Sequence, residues 1–434
     1  MTEPVSRRTQ DSTISADQDL LVSHYDIGRR RFLRLTGSAA LATSFAGLLA
    51  ACGDALSSSS STGATSGRKV RLGFIALTDC APLVMAKELG YFAERGLDVE
   101  LIKQANWPGT RDNLLNGQID GAHCLFSMPM SVAARIAGKG TTDLKVALVL
   151  NNNGQAITLH KDLAPAGYGN LEAARDVLEA KSPTLAMTFP GGTHDTWLRY
   201  WLKATKANLA SVKIIPIPPP QMVANMKVGN MDGYCVGEPW NAVAVQQGIG
   251  FTHLTTQDLW LHHPEKALVV NPRFATARKD VLMDVMGAVL KAAKWLDDLG
   301  NRPRAATTIG AANYVNAPAK DIEGRLQGRY DLGAGLGEKT YTGNQMMYFR
   351  DGETSAPRRG HAIWFLSQYQ RFGLLKEPPP YTKLADEIIL RDLYEQVAGK
   401  EGIDVPGDDM APFQVKLDGV TFDPGKPDEE AKRT

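Results

Sequence analysis

Four stretches of the chain carry side chains whose types and settings suit chemistry. The first reads Phe189-Pro190-Gly191-Gly192-Thr193-His194-Asp195-Thr196-Trp197. It follows a strand-like run and opens a helix-like one. Glycines let a backbone approach a ligand, and a helix N-terminus offers N–H groups with no intrahelical partner. That combination suits an anion, with the His194 imidazole as one more donor. It equally suits an ordinary loop with Thr193 as the helix cap. The second stretch, Asn106-Trp107-Pro108-Gly109, sets an indole N–H between a strand and a helix. On pattern alone Trp107 reads as core. The third, Asn151-Asn152-Asn153-Gly154-Gln155, ends an apolar run with amides that suit either a ligand or a hinge. The fourth, His262-His263-Pro264-Glu265-Lys266, precedes the apolar run 267–270. Taken alone, a lysine there reads as a surface ion pair. Its neighbours do not suggest a metal, because adjacent side chains rarely converge on one ion.

The motifs of several enzyme classes are missing from the sequence. There is no phosphate loop ending in Lys-Ser/Thr, no His-Glu-x-x-His and no Gly-x-Ser-x-Gly. Gly333-Ala334-Gly335-Leu336-Gly337 resembles part of a dinucleotide loop, but no strand precedes it and it reads as a loop. Lys+Arg is 48 and Asp+Glu is 47, a formal net of +1. That balance excludes binding nucleic acid through bulk charge. Four cysteines are too few for a disulfide scaffold in 434 residues. Cys80, Cys124 and Cys235 read as buried thiols.

The elements that must position these groups alternate between strands and helices. Strands are expected over 69–76, 97–102, 119–126 and 144–150, with helices over 81–95, 108–115 and 130–138. The pattern restarts with strands over 184–188, 212–217 and 233–237 and helices over 194–206, 221–227 and 242–248. Such alternation predicts a parallel sheet in an α/β domain. Gly117-Gln118-Ile119-Asp120-Gly121 is echoed by Gly229-Asn230-Met231-Asp232-Gly233. Each falls between a helix and a short strand containing cysteine, so two similar lobes are expected. Ligands in open α/β sheets collect beyond the carboxyl ends of the strands, which places a cleft between the lobes. Longer helices are expected over 279–299, 317–326, 360–372 and 385–397, returning to the first lobe and wrapping the body.

The N-terminus reads as an export signal. Arg29-Arg30-Arg31-Phe32-Leu33-Arg34 leads into an uncharged run over 35–51, rich in small residues. That run is too short and too mildly apolar for a membrane span. Its start resembles a twin-arginine signal. Its end, Leu49-Ala50-Ala51-Cys52-Gly53, resembles a lipoprotein box in which Cys52 receives lipid. The Ser/Gly-rich run 54–67 then forms a tether. The expected organisation is a signal peptide over 1–51, a lipid-anchored linker over 52–68, lobe one over 69–155 and 268–400, lobe two over 156–267, and a tail over 401–434.

The chain resembles the nitrate/bicarbonate-binding proteins of ABC transporters. The resemblance runs through 72–92, Asn106-Trp107-Pro108-Gly109 and its continuation to 125, 189–202, 218–240 and 262–268. It implies the two-lobed periplasmic binding-protein fold of type II and an extracytoplasmic protein that captures nitrate and nitrite without catalysis. It implies delivery to a permease served by an ATPase, at the outer face of the inner membrane and anchored through Cys52. No cofactor, metal or nucleic acid is implied. The family's anion-binding residues fall on Trp107, Gln155, His194, Gly237 and Lys266. The bicarbonate-binding members have an acidic residue in place of Lys266 and use calcium. Nitrate offers three equivalent acceptor oxygens, so a pocket made of donors is expected. The rival readings are a bicarbonate or other small-anion carrier, a nitrate sensor, and an enzyme acting on a thiamine-like compound. The last would need an activated nucleophile, and neither Cys80 nor Cys124 shows a base partner in the sequence.

Overall fold

The computed structural model describes residues 68–433. The export signal, Cys52 and the tether lie outside the described residues. Ten strands build two five-stranded sheets. The first contains β1 (Lys69–Phe74), β2 (Asp98–Lys103), β3 (Gly121–Leu125) and β4 (Lys145–Asn152). The second contains β5 (Gln155–His160), β6 (Thr184–Met187), β7 (Lys213–Pro216), β8 (Gly233–Gly237) and β9 (Gly250–Thr255). The last, β10 (Pro264–Val270), returns to the first sheet.

The strand orders are β2-β1-β3-β10-β4 and β7-β6-β8-β5-β9. These are one topology written twice, with β10 and β5 in equivalent places. Both sheets are mixed, where the alternation predicts parallel ones. β10 runs antiparallel to β3 and β4, and β5 runs antiparallel to β8 and β9. The reason is the crossing. Each antiparallel strand is the one delivered from the other sheet, so it enters against the local direction. The outward crossing is only Asn153-Gly154, with φ of 61° and 84°. A Cβ on Gly154 would lie 2.3 Å from Met346 Cε, so glycine is required there on both counts.

The echoed pentapeptides do the same work twice. Asp120 Oδ2 accepts from Arg71 N at 2.8 Å, and Asp120 N donates to Arg71 O at 2.9 Å. Asp232 Oδ2 accepts from Thr184 N at 2.8 Å, and Asp232 N donates to Thr184 O at 2.8 Å. Each aspartate thereby fixes the start of β3 or β8 against β1 or β6.

Several boundaries shift for identifiable reasons. The helix expected over 81–95 breaks at Gly90, whose φ is 80°. The helix expected over 385–397 is two, Tyr381–Ile388 and Arg391–Lys400. Between them Ile389 bridges to Val146, and Leu390 N donates to Val146 O at 3.0 Å. The first sheet resumes at Pro264 rather than at 268, because Lys266 N donates to the Asn151 side chain at 3.2 Å. Lys266 therefore belongs to the first sheet.

The long helix Lys279–Asp297 buries Val285, Val289 and Leu296 against the helix Ala81–Glu88 in the core of the first lobe. The buried helix Arg359–Arg371 sets Trp364 beside Trp197, ring centroids 5.6 Å apart. Its Tyr369 hydroxyl reaches Ser127 O at 3.1 Å and Gly191 O at 2.5 Å, one carbonyl from each lobe. The tail packs back on the second lobe, with Phe413 stacked on Trp260 at 4.5 Å. Among the described residues no helix is long and apolar enough to cross a membrane.

Candidate functional site

The first lobe presents a short turn, Thr78–Cys80, just beyond β1. After β2, Asn106 caps the helix Trp107–Leu115 by accepting from Gly109 N at 2.8 Å. Trp107 thus becomes the first helical residue and its ring is directed into the protein, fully buried. His123 stands in the middle of β3, and Glu265 and Lys266 stand on β10. The second lobe contributes Gln155 at the start of β5, Gly237 at the end of β8, and the helix Thr193–Thr205.

The loop before that helix departs from expectation. Gly192, not Thr193, is the cap. Gly191 N is taken by the Asp195 carboxylate at 2.8 Å. The two glycines permit the lobes to touch: a Cβ at Gly191 would lie 2.7 Å from Ser131 Oγ, and one at Gly192 would lie 2.7 Å from Leu125 Cδ1. The hydroxyls of Ser127 and Ser131 donate across to Gly191 O at 3.1 Å and Pro190 O at 2.7 Å. The helix turns the side chains of Thr193, His194 and Trp197 into the site.

All five residues assigned through the resemblance are buried and lie within one cluster. Gln155 Oε1 accepts from His194 Nε2 at 3.1 Å. A Cβ at Gly237 would sit 2.5 Å from the same Oε1, so any side chain there would displace the Gln155 amide. Lys266 Nζ lies 2.8 Å from Asp79 Oδ2 and 3.0 Å from Glu265 Oε1. Gln155 Nε2 donates to Asp79 Oδ2 at 3.1 Å. The Trp107 ring stands 5.8 Å from that of His123, and its buried Nε1 has no partner.

The cluster holds groups that sequence reasoning missed. A pocket of donors is the expectation, yet two carboxylates are present. A buried ammonium requires them, because burial without compensation would expel its charge. Asp79 Oδ1 accepts from His123 Nε2 at 2.6 Å. Glu265 accepts from Thr193 Oγ1 at 2.5 Å and from Trp197 Nε1 at 2.7 Å, both across the lobe boundary. Asp79 follows directly on the apolar run of β1, and His123 interrupts an apolar strand. A polar residue inside an apolar run was the available signal for both.

Electrostatics follow from burial. Burial alone would raise the Asp79 carboxyl, but Lys266 and His123 outweigh it and hold it far below the usual range. Burial likewise works against Lys266, and Asp79 with Glu265 overcomes it, leaving the ammonium firmly charged. Glu265 is pushed upward by burial against the pull of Lys266, Thr193 and Trp197. Burial, reinforced by Lys266, holds His194 well below its ordinary value, so it is neutral. The thiols of Cys80, Cys124 and Cys235 are all raised by burial, the opposite of an activated nucleophile. Among the described residues no three His, Cys, Asp or Glu side chains are placed to hold a metal ion.

Two lobes of one topology, joined by crossing strands around a buried charged cluster at the strand ends, define a solute-binding protein. The model of the NMT1-like family matches residues 63–310, and the chain belongs to that family. It is 37% identical to the nitrate/nitrite binding protein NrtA of Nostoc sp. (strain PCC 7120), over 93% of this chain and 97% of that one. It is 38% identical to the NrtA of Synechococcus elongatus, over 92% of this chain and 96% of that one. The crystal structure of the periplasmic nitrate-binding protein NrtA from Synechocystis PCC 6803 superposes with a TM-score of 0.79 at 35% identity, covering 84% of this chain and 97% of that one.

Proposed function

We propose that this protein captures nitrate, and nitrite with it, outside the cytoplasmic membrane and delivers it to the permease of an ABC importer whose ATPase is a separate subunit. The observation that carries the reading is the buried Lys266 ammonium, in one cluster with the neutral His194 and with Trp107, whose buried indole N–H has no partner. A planar monoanion with acceptor oxygens suits one fixed cation ringed by neutral donors. Trp107, Gln155, His194, Gly237 and Lys266 are the binding residues in this reading.

Bicarbonate suits the site less well. Its O–H needs an acceptor, and the carboxylate oxygens here are already engaged: Asp79 by His123, Lys266 and Gln155, Glu265 by Thr193, Lys266 and Trp197. Sulfate brings a second negative charge to a cluster whose one ammonium already faces two carboxylates. The lobes open and close about two crossings, Asn153-Gly154 and the segment 256–263, and closure presents the loaded form to the permease. Lipid on Cys52 holds the protein at the membrane in this scheme, after export through the twin-arginine signal.

The test is a calorimetric panel of nitrate, nitrite, bicarbonate with calcium, and sulfate. Saturable heats with nitrate and nitrite alone are expected. Tight bicarbonate binding without nitrate binding would overturn the assignment.

A further inference from the structure

We infer that His123 is a further nitrate-binding residue and that capture of the anion brings one proton into the site, onto His123 Nδ1. The inference rests on the nitrate reading above and adds a residue and a proton to it.

His123 is fully buried, and its Nε2 lies 2.6 Å from Asp79 Oδ1. Asp79 is an ionised carboxylate, held by Lys266 at 2.8 Å and by Gln155 Nε2 at 3.1 Å. It can only accept, so His123 Nε2 carries a proton. On a neutral ring Nδ1 is then a lone pair. That atom is buried without a partner, and so is Trp107 Nε1 on the neighbouring ring, 5.8 Å away between centroids. Buried polar atoms are nearly always partnered, so two orphans on adjacent rings mark a place for a ligand.

The ligand's chemistry decides the protonation. Trp107 Nε1 is a donor and asks for an acceptor. Nitrate supplies only acceptors, and the lone pair of a neutral His123 would repel it. A proton on Nδ1 turns the pair into two donors side by side. The surrounding charges point the same way. The groups facing His123 are Asp79 from the turn after β1, Lys266 from β10, the Trp107 ring, and more distantly His194 from the second lobe. Lys266 is already balanced by Asp79 at 2.8 Å, with Glu265 3.0 Å away on the same ammonium, so the cluster holds no uncompensated positive charge. Bringing an anion into such a water-excluded site is opposed unless a proton accompanies it.

The other basic groups are less suited. His194 is bonded at both nitrogens, to Gln155 Oε1 at 3.1 Å and to Thr188 Oγ1 at 2.7 Å. Glu265 accepts from Thr193 and Lys266 at one oxygen and from Trp197 at the other, so a proton on either oxygen would displace a donor. His263 also has an unpartnered nitrogen, but its ring packs against Trp197 and Trp260, and Glu265 lies 3.5 Å from its Nδ1. His123 has Asp79 at 2.6 Å to support an imidazolium and the unpartnered Trp107 indole beside it. With no anion beside it, burial holds its pKa below the ordinary value against the pull of Asp79, so the proton arrives with the anion.

The test is nitrate calorimetry on the intact protein at about pH 6 and about pH 8, in buffers of differing ionisation enthalpy that contain no small oxyanion. Wild type is expected to take up between about half and one proton, and its affinity to fall by up to about tenfold per pH unit as pH rises. His123→Gln keeps an N–H toward Asp79 but cannot accept the second proton. It is expected to bind nitrate at least about tenfold more weakly at the lower pH, with no proton uptake and a flat pH profile. Nitrogen NMR of histidine-labelled wild type supplies a readout independent of that variant's folding: both His123 nitrogens should move to imidazolium positions on adding nitrate. Saturable nitrate binding without proton uptake, or uptake that persists in His123→Gln, overturns this inference and leaves the nitrate reading standing. Absence of nitrate binding to wild type overturns both.

Discussion

Lys266 and Asp79 form a 2.8 Å ion pair in which neither side chain has exposed surface. A second carboxylate, Glu265, lies 3.0 Å from the same ammonium. The lysine that the nitrate reading makes the anion's counter-charge is thus also the counter-charge of two buried acids. Binding and folding share one cation.

The first prediction follows from that sharing. Removing one partner of a desolvated charge pair costs about 2–5 kcal/mol of binding, so Lys266→Ala should weaken nitrate by roughly 30- to several-thousand-fold. It should also strip Asp79 and Glu265 of compensation and lower stability by about 3–5 kcal/mol. Lys266→Met combined with Asp79→Asn should recover much of the stability and none of the binding. Calorimetry and urea unfolding on the three proteins check this. A folded Lys266→Ala that binds nitrate within about threefold of wild type would remove the main support for the assignment.

Gly237 is needed for space, not for an unusual backbone. It is not among the residues with positive φ, so alanine fits its conformation. The added Cβ would lie 2.5 Å from Gln155 Oε1 and 3.0 Å from Leu77 Cδ2. The Gln155 amide must then turn, which breaks its bond to His194. Gly237→Ala should weaken nitrate by about 1–3 kcal/mol while leaving the fold intact. In a Gln155→Ala background the same change should cost less, because the clash is gone. Equal effects in both backgrounds would sink the steric account.

How much of this was legible varies with the physics behind each feature. The echo around Asp120 and Asp232 was legible because a turn's needs are local: Gly117 and Gly229 end helices with φ of 68° and 78°. The crossings were not, because nothing local distinguishes Gln155–His160 from any apolar strand; its direction depends on β8, far along the chain. Trp107 and Lys266 read by pattern as core and as surface, and only the family resemblance placed them in a site. Asp79 and His123 escaped notice because their value lies in each other, 44 residues apart.

The aspartates of the echo give a prediction free of the ligand. Asp120→Ala and Asp232→Ala each leave a strand N–H, Arg71 N or Thr184 N, without its side-chain acceptor. Each should cost about 1–3 kcal/mol of stability with nitrate affinity unchanged. The double variant should show nearly additive losses, since the two sites share no partner. Urea unfolding measures this; a loss confined to one lobe would show the echo to be a coincidence of sequence.

Location rests on sequence alone. Cys52→Ala should release the protein from membranes without altering nitrate binding, and replacing Arg29 and Arg30 by lysine should block export. Fractionation of cells expressing each variant checks both. Persistence of Cys52→Ala in the membrane fraction would exclude lipid on that residue as the anchor.

The last prediction concerns acid. His253 is neutral by construction: Nδ1 donates to Gly167 O at 2.7 Å and Nε2 accepts from Trp201 Nε1 at 3.0 Å. A second proton would set one N–H against another. Burial pushes His253 down to about 4 and His263 to about 3, and holds His194 and His361 well below the ordinary value. In the unfolded chain each titrates near 6.5. Below that pH the unfolded state binds protons that the folded state refuses, so stability is full above about 6.5 and falls as pH drops toward the folded values. The loss is of order 1 kcal/mol per histidine per pH unit, against a total stability of about 5–15 kcal/mol. Asp79, held far below the usual carboxylate range, loses its contribution only at lower pH, so histidines dominate the first decline. Urea unfolding between about pH 7 and about pH 4 should show a slope of more than one proton. His253→Gln should be less stable near neutrality, where the Trp201 and Gly167 bonds are impaired, and its slope should be shallower by about one histidine's share. A wild-type slope near zero across this range would mean that these histidines accept protons in the folded state, and the buried neutral network would be wrong.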